Sequence, residues 1–346
     1  MKLVKFATRK FAKFHFGEDG LDNSLLYFPS PSLFSAIVNN YVKLYGPNEL
    51  EKLLSIRISS LYPGYRDSYF IPRPMSRLNL PLKLLEDNPK IAKKINFLSF
   101  EVLKDNNREN IEFNNDQLVN GFLFSKGEKE NYNTIEELVF VDVEDKVTLS
   151  RISDSAEESP EGSFAPYSVY YFYINSDNFF FYFLLDDSFL DENMQAKLES
   201  SIRLIQDEGL GGERATGSGL FESVEFLPSD FYDSYIKDVE GLPGNKQFVS
   251  LSTVIPKNED EFKEAISYQL VKRGGFIYQP GLLNHKKKDV YAIADGSIFK
   301  NRIEGKFVDV SPVTNTKVFQ FGYFFGIPFI APLSDYNDRK FFGGRR

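Results

Sequence analysis

The chain is expected to fold as an α+β protein made of two tandem ferredoxin-like (RRM-like) domains, the first carrying an insertion. Three observations predict this. With one proline- and asparagine-bearing stretch set aside, the first 228 residues read β-α-β-β-α-β by hydrophobic periodicity. A glycine-rich loop separates the second helix from the last strand of that series. A second, less complete round of strands follows an acidic connector, Pro228 to Asn245. The expected division is 1–228, with the insertion at about 62–147 and a loop at 151–166, then 229–346.

The elements follow in order. Val4, Phe6 and Thr8 alternate with Lys5, Ala7 and Arg9, which predicts a strand, and Phe14 and Phe16 bracket His15. Ser30-Pro31 predicts a helix start, with serine as N-cap and proline in the first turn. Leu33, Ile37, Tyr41 and Leu44 are its expected stripe, and Gly46 its end. Residues 62–147 lose this regularity and include Ile71-Pro72-Arg73-Pro74. Arg151 to Pro166 has no apolar period and reads as a loop. Tyr167 to Ile174 and Phe179 to Leu185 flank Asn175-Ser176-Asp177-Asn178, the pattern of a hairpin. Asp191 to Gln206 spaces Met194, Leu198, Ile202 and Ile205 as a helix, and Phe221 to Leu227 closes the first round as a strand. In the second round Phe248 to Val254, Gly275 to Gln279, Val290 to Ala294 and Val318 to Phe325 read as strands, and Asp260 to Gln269 as a helix. No second helix is evident there.

Between the predicted helix and strand lies Gly209 to Gly219, G-L-G-G-E-R-A-T-G-S-G, with five glycines in eleven residues. One chain reversal needs fewer. Glycine lets successive N–H groups converge and a ligand backbone come close, and Arg214, Thr216 and Ser218 add side chains suited to phosphate. The order helix, glycine loop, strand is the reverse of nucleotide-binding loops, whose phosphate site is completed by a following helix N-terminus. No G-x-x-x-x-G-K-[ST] occurs. Those grounds argue against an ATPase or a nicotinamide enzyme.

Composition narrows the class further. No cysteine is present, so disulfides and thiolate chemistry are excluded, and His15 and His285 are the only two histidines. No cofactor is expected and a histidine-based metal site is not supported, while carboxylate-bound magnesium stays open. The longest apolar run, Phe179 to Leu185, is too short to span a bilayer, so the expected place is the cytoplasm, with no membrane partner. Net charge is −8, yet Lys2, Lys5, Arg9, Lys10 and Lys13 open the chain without an acid, and Lys286 to Lys288 form a second basic run. Such unevenness suits a protein that grips nucleic acid on one face. Thirty-five phenylalanines and nineteen tyrosines read mostly as core, because strands favour aromatics for packing.

Two ferredoxin-like halves with a glycine-rich loop after the second helix resemble the repeat-associated mysterious proteins, the RAMP superfamily of CRISPR systems. Within it the chain most resembles the subunit of type III-A (Csm) effector complexes that caps the repeat-derived 5′ handle of the guide RNA (crRNA). Gly209 to Phe221 carries the resemblance most sharply. Phe14-His15-Phe16-Gly17, Ser32 to Ile37, Val147 to Arg151, Arg273 to Phe276 and Asp295 to Phe299 support it.

The resemblance implies a non-catalytic crRNA-binding subunit whose partners are the polymerase-like large subunit and the backbone RAMP subunit. It implies that Gly211, Gly212, Gly217 and Gly219 present N–H groups, that Arg214 and Thr216, with Ser218 beside them, contact phosphates, and that Lys5, His15 and Ser35 lie near that loop. Arg151 and the 151–166 loop are then a projecting thumb. Two other readings stay open. One is a metal-independent RAMP endoribonuclease that processes repeat RNA with His15 as general acid or base; the other is an assembly module without RNA contact.

Overall fold

Val4 and Phe6, fully buried on the opening strand Lys2–Ala7, place that strand in the middle of the largest sheet. It pairs antiparallel with Phe179–Asp186 on one side and Ser223–Pro228 on the other. Phe179–Asp186 pairs in turn with Tyr62–Tyr65 and, lower down, with Arg57–Ile58. The core order is thus Ser223–Pro228, Lys2–Ala7, Phe179–Asp186, Tyr62–Tyr65, antiparallel throughout, which is the strand order of a ferredoxin-like sheet. The computed structural model describes every residue except 18, 19, 22, 82–89, 110, 133, 134, 136, 148–166, 278–284, 313–316 and 332–346.

Helices lie on both faces of this sheet. Ser30–Tyr45 and Glu192–Arg203 pack together, Asn40 donating to the Ser201 carbonyl at 3.2 Å. Arg203 lies over the Phe226 ring at 4.8 Å, so this pair covers the face that carries Val4 and Phe6. Asp191, expected within the first turn, instead caps the Glu192–Arg203 helix by accepting from the Met194 N–H at 2.9 Å. On the opposite face Phe231, from the helix Asp230–Gly241, stacks on Tyr69 at 4.0 Å and meets Tyr182 edge-on at 5.9 Å. The aromatic sheet face that an RRM would offer to bases is therefore filled from within.

Several sequence expectations are corrected. Tyr167–Ile174 and Phe179–Asp186 are not a hairpin pair: the first pairs with Val139–Lys146 and Lys13–Phe14 in a separate three-stranded sheet. Both edges of Phe179–Asp186 are already taken by Lys2–Ala7 and Tyr62–Tyr65, so the turn at 175–178 carries the chain from one sheet to the other. The stretch set aside as an insertion begins with the core strand Tyr62–Tyr65, second in chain order, and its strands Ser68–Pro72, Phe97–Ser99, Phe122–Leu123 and Leu118–Val119 extend the same sheet. Ser30 is the first helical residue rather than the cap, which is Pro29, and its hydroxyl accepts from Thr253 N–H instead. Leu44 is exposed. The acidic connector is the helix Asp230–Gly241, which buries Tyr232, Tyr235 and Val239 at helical spacing.

The second half builds a four-stranded antiparallel sheet in the order Gly326–Ile330, Lys246–Ser250, Ile298–Phe299, Ala265–Ser267. Numbered along the chain, this is again fourth, first, third, second. The helix expected over Asp260 to Gln269 is only Glu259–Lys263, and Ala265 and Ile266 belong to the edge strand. The Gly326–Ile330 strand escaped the sequence reading altogether. Tyr62 donates to Asp295 Oδ2 at 2.5 Å, Ser60 N–H to the Leu251 carbonyl at 2.8 Å and Tyr235 to the Pro328 carbonyl at 2.6 Å, so the two sheets are joined through buried polar contacts. Among the described residues no helix is long and apolar enough to cross a membrane.

Tyr235 is the test of that junction. Its side chain is fully buried, takes a 3.0 Å bond from Asn107 Nδ2 and packs edge-on to Phe100. Tyr235→Phe removes the hydroxyl and leaves the Asn107 amide and Pro328 carbonyl without it. The expected loss is about 1–3 kcal/mol, read as a lower urea midpoint.

Candidate nucleic-acid interface

Three elements build the site: the segment after the first strand, the glycine loop, and the Val139–Lys146/Tyr167–Ile174 hairpin. Phe14 fixes the first of them, its ring packed against Phe16, Phe172, Phe181 and Phe221 with centroids 5.2–5.5 Å apart. Because Phe14 is locked inward, the carbonyls of Lys13 and His15 on either side of it point to the glycine loop. Gly219 N–H donates to the Lys13 carbonyl at 2.8 Å and Gly212 N–H to the His15 carbonyl at 2.9 Å. The loop closes on itself through Leu210 N–H to the Gly219 carbonyl at 3.0 Å.

Close approach explains the glycines. A Cβ at Gly211 would lie 2.3 Å from the His15 carbonyl oxygen, and one at Gly219 2.0 Å from that of Leu210. Both residues also have positive φ, 88° and 80°, which favours glycine. Between these pinned ends, Arg214–Thr216 makes one 3₁₀ turn, entered through Glu213 and left through Gly217, both left-handed. Ala215, Thr216 and Gly217 are exposed and form the apex.

This corrects the expected mode of anion display. Gly212 and Gly219 use their N–H groups to hold the loop down, and Gly217 N–H closes the turn onto the Arg214 carbonyl at 3.0 Å. Ser218 is buried and its hydroxyl donates to the Lys13 carbonyl at 3.2 Å. The polar side chains left partly open at the turn are Arg214, 34% exposed with its guanidinium 3.9 Å from the Glu208 carboxylate, and Thr216, whose hydroxyl donates to the Glu213 carbonyl and keeps acceptor capacity. Arg214 donates to the Glu208 carbonyl at 3.3 Å, and Glu208 pairs with Lys43 at 2.8 Å on the neighbouring helix.

His15 is likewise reassigned. It is 4% exposed, and its Nδ1 donates to the Tyr170 carbonyl at 2.7 Å, which fixes the tautomer. Its ring is thus a wall between loop and hairpin rather than an open contact. Lys5 also departs from expectation. Strand alternation puts it on the opposite face from Phe6, and Phe6 is the residue that packs on Phe221 beside the loop; the Lys5 ammonium lies 4.4 Å from the Phe180 ring instead. Ser35 is exposed in the Ser30–Tyr45 helix, and among the described residues it makes no hydrogen bond to the loop. Arg151 and the 151–166 loop lie outside the described residues.

Residues that the sequence reading did not connect with the loop hold it to the hairpin. Lys146 sits on the edge strand Val139–Lys146, opposite Tyr167, and bonds Glu213 Oε2 and the Tyr171 hydroxyl, each at 2.6 Å. Burial works to lower its pKa, but those two bonds prevail and hold the ammonium above the ordinary lysine range. Lys13 pairs with Glu144 at 2.9 Å, which together with the Tyr173 hydroxyl holds that carboxyl below its usual range. Tyr171 lies between the two ammonium groups, 4.6 Å from that of Lys13 and 5.2 Å from that of Lys146. Their only local signal was basic residues on alternating strands. Among the described residues there is no group of three or more histidines and carboxylates placed to hold a metal.

Comparison with known proteins fixes the family. The RAMP superfamily model matches residues 13–222 and the CRISPR Csm4 C-terminal domain model matches residues 244–329. A Methanocaldococcus jannaschii protein named CRISPR system Cms protein Csm4 is 36% identical over 340 residues, 90% of this chain and 89% of that one. The chain belongs to the Csm4 family of the RAMP superfamily. A Streptococcus thermophilus protein of the same name is 27% identical, covering 89% of this chain and 93% of its own. The crystal structure of a Csm3-Csm4 subcomplex in the type III-A CRISPR-Cas interference complex holds a chain that is 31% identical, with a TM-score of 0.69 over 95% of this chain and 99% of that one.

The two family matches divide the chain between its two halves, one ending at 222 and the other starting at 244, while the strands Lys2–Ala7 and Ser223–Pro228 of the first sheet lie outside both. The helix Asp230–Gly241, which fills the first sheet's outer face, lies between them.

Proposed function

We propose that this chain is a non-cleaving, crRNA-binding subunit of a type III-A CRISPR complex, and that it holds the repeat-derived 5′ handle at the apex of the glycine loop. The observation that carries this reading is the pinned loop: its two ends are bonded to the Lys13 and His15 carbonyls, so the Arg214–Thr216 turn between them is held at a fixed position. A preorganised apex loses little entropy when a phosphate binds, and an arginine fork suits that anion. Glycines serve here as the tight joint beneath the apex. The subunit docks the polymerase-like large subunit and the backbone RAMP subunit; relatives support this, since solved chains of the family occur with Csm3 and with Csm1. On this reading Arg151 and residues 151–166, outside the described residues, take part in handling the RNA, and Ser35 lines the path of the RNA from the helix side.

The buried, carbonyl-bonded His15 leaves no exposed imidazole at this site for acid or base work, which favours holding over cutting. The test uses the full chain and fluorescent handle RNA. Arg214→Ala is expected to weaken binding by about 1–3 kcal/mol and to reduce the salt dependence by about one phosphate contact. Unchanged affinity with an intact fold would remove the loop from the site. Repeat RNA incubated with the chain and magnesium is expected to stay intact, and cleavage abolished by His15→Ala would establish the endoribonuclease reading.

A further inference from the structure

The second half carries a basic hairpin that the loop does not account for. Leu270–Arg273 pairs antiparallel with Val290–Ile293, and the pairing continues outward through a bridge between Phe276 and Lys286, with Ile277 N–H bonded to the His285 carbonyl at 2.9 Å. Over 270–277 and 285–293 there are five cations, Lys272, Arg273, Lys286, Lys287 and Lys288, against the single carboxylate of Asp289, in a chain of net charge −8. Asp289 is engaged by Lys272 at 2.7 Å. Exposure alternates along the basic run. Lys287 turns inward to Gln320 Oε1 at 2.8 Å, while Lys286 and Lys288 are exposed.

Phe276 is 70% exposed and Tyr291 is 66% exposed. Residues directly opposite in an antiparallel pair share a face, so the bare Phe276 ring and the Lys286 ammonium project to the same side. Asp289 and Asp309 feel the charges of Lys286 and Lys288, but Asp309 is itself bonded to the Ser311 N–H at 2.8 Å. The ring shares its face with the Lys286 ammonium and Lys288 is exposed two residues on, a pairing of bare aromatic surface and positive charge that fits an anionic partner with flat apolar faces.

We propose that this hairpin is a second single-stranded RNA contact, in which Phe276 stacks on an unpaired base and Lys286 and Lys288 hold the phosphates on either side. The site stands apart from the glycine loop and does not depend on it. Its ring supplies sequence-tolerant grip, because every base has a face to stack, and its lysines supply the salt-dependent part.

The experiment measures fluorescence anisotropy of a fluorescein-labelled oligouridylate about 12 nucleotides long with the full chain. Phe276→Ala is expected to lower affinity about tenfold and Phe276→Trp to keep it. Lys286→Glu with Lys288→Glu is expected to lower affinity further and flatten its dependence on salt. Exposure of all three side chains makes these changes neutral for folding, checked by the urea midpoint. Arg214→Ala reads the loop separately, and losses from two separate sites add in free energy. Unchanged oligouridylate affinity in Phe276→Ala overturns the proposal. So does a loss confined to association with the large subunit while RNA affinity holds, which would make the hairpin a protein-binding surface.

Discussion

Gly219→Ala is expected to unseat the glycine loop and cost about 2–5 kcal/mol of stability, because backbone strain and overpacking act together there. The new Cβ would meet the Leu210 carbonyl oxygen at 2.0 Å, and φ is 80°. Gly217 separates the two effects. Its φ is 82°, yet nothing lies within 4 Å of an added Cβ, so Gly217→Ala should show only the left-handed strain of about 1–2 kcal/mol. Urea unfolding of the two variants checks the difference. Equal costs would mean that the close approach to Leu210 is unimportant. Since the Gly219 N–H makes one of the bonds that tie the loop to the first strand's extension, Gly219→Ala should also lower affinity for handle RNA more than Gly217→Ala does.

Phe14→Ala is expected to lower stability by about 3–5 kcal/mol, the range for removing a buried aromatic ring. Phe14 is fully buried and touches four other rings drawn from four separate segments of chain. The cavity opens directly beneath the Lys13 and His15 carbonyls. Loop seating should therefore loosen in parallel, seen as faster hydrogen exchange at Gly212 and Gly219. Phe276→Ala is the control, and its exposed ring should change stability by no more than about 0.5 kcal/mol. A Phe14→Ala protein that unfolds at the same urea concentration as the parent would show that the aromatic cluster is not what supports the site.

Local pattern made part of this protein readable in advance. The Glu192–Arg203 helix and the glycine loop that follows are both set by neighbouring residues in the chain, so spacing alone locates them. The pairing of Phe179–Asp186 was not legible, since alternation tells which side chains share a face but not which distant strand lies alongside. Tyr167–Ile174 shows the same limit. A polar four-residue turn suggests a hairpin, but competition from Val139–Lys146 for the same edge decides otherwise. The Asp230–Gly241 helix was masked by its acidic outer face, and its apolar stripe becomes meaningful only where Tyr69 and Tyr182 await it.

The site divides along the same line. Sequence placed five glycines around one arginine and so located the loop. It could not say which groups face solvent, because that depends on the Lys13 and His15 carbonyls, some two hundred residues away along the chain. By itself the sequence determined the Ser30–Tyr45 and Glu192–Arg203 helices and the place of the glycine loop, all products of short-range geometry. Only the tertiary structure decided that the Gly212 and Gly219 N–H groups turn to the segment after the first strand, that His15 is buried and that Lys5 lies on the far face. Backbone donors take whatever acceptor the packed strands bring to them, and packing is a property of the whole chain.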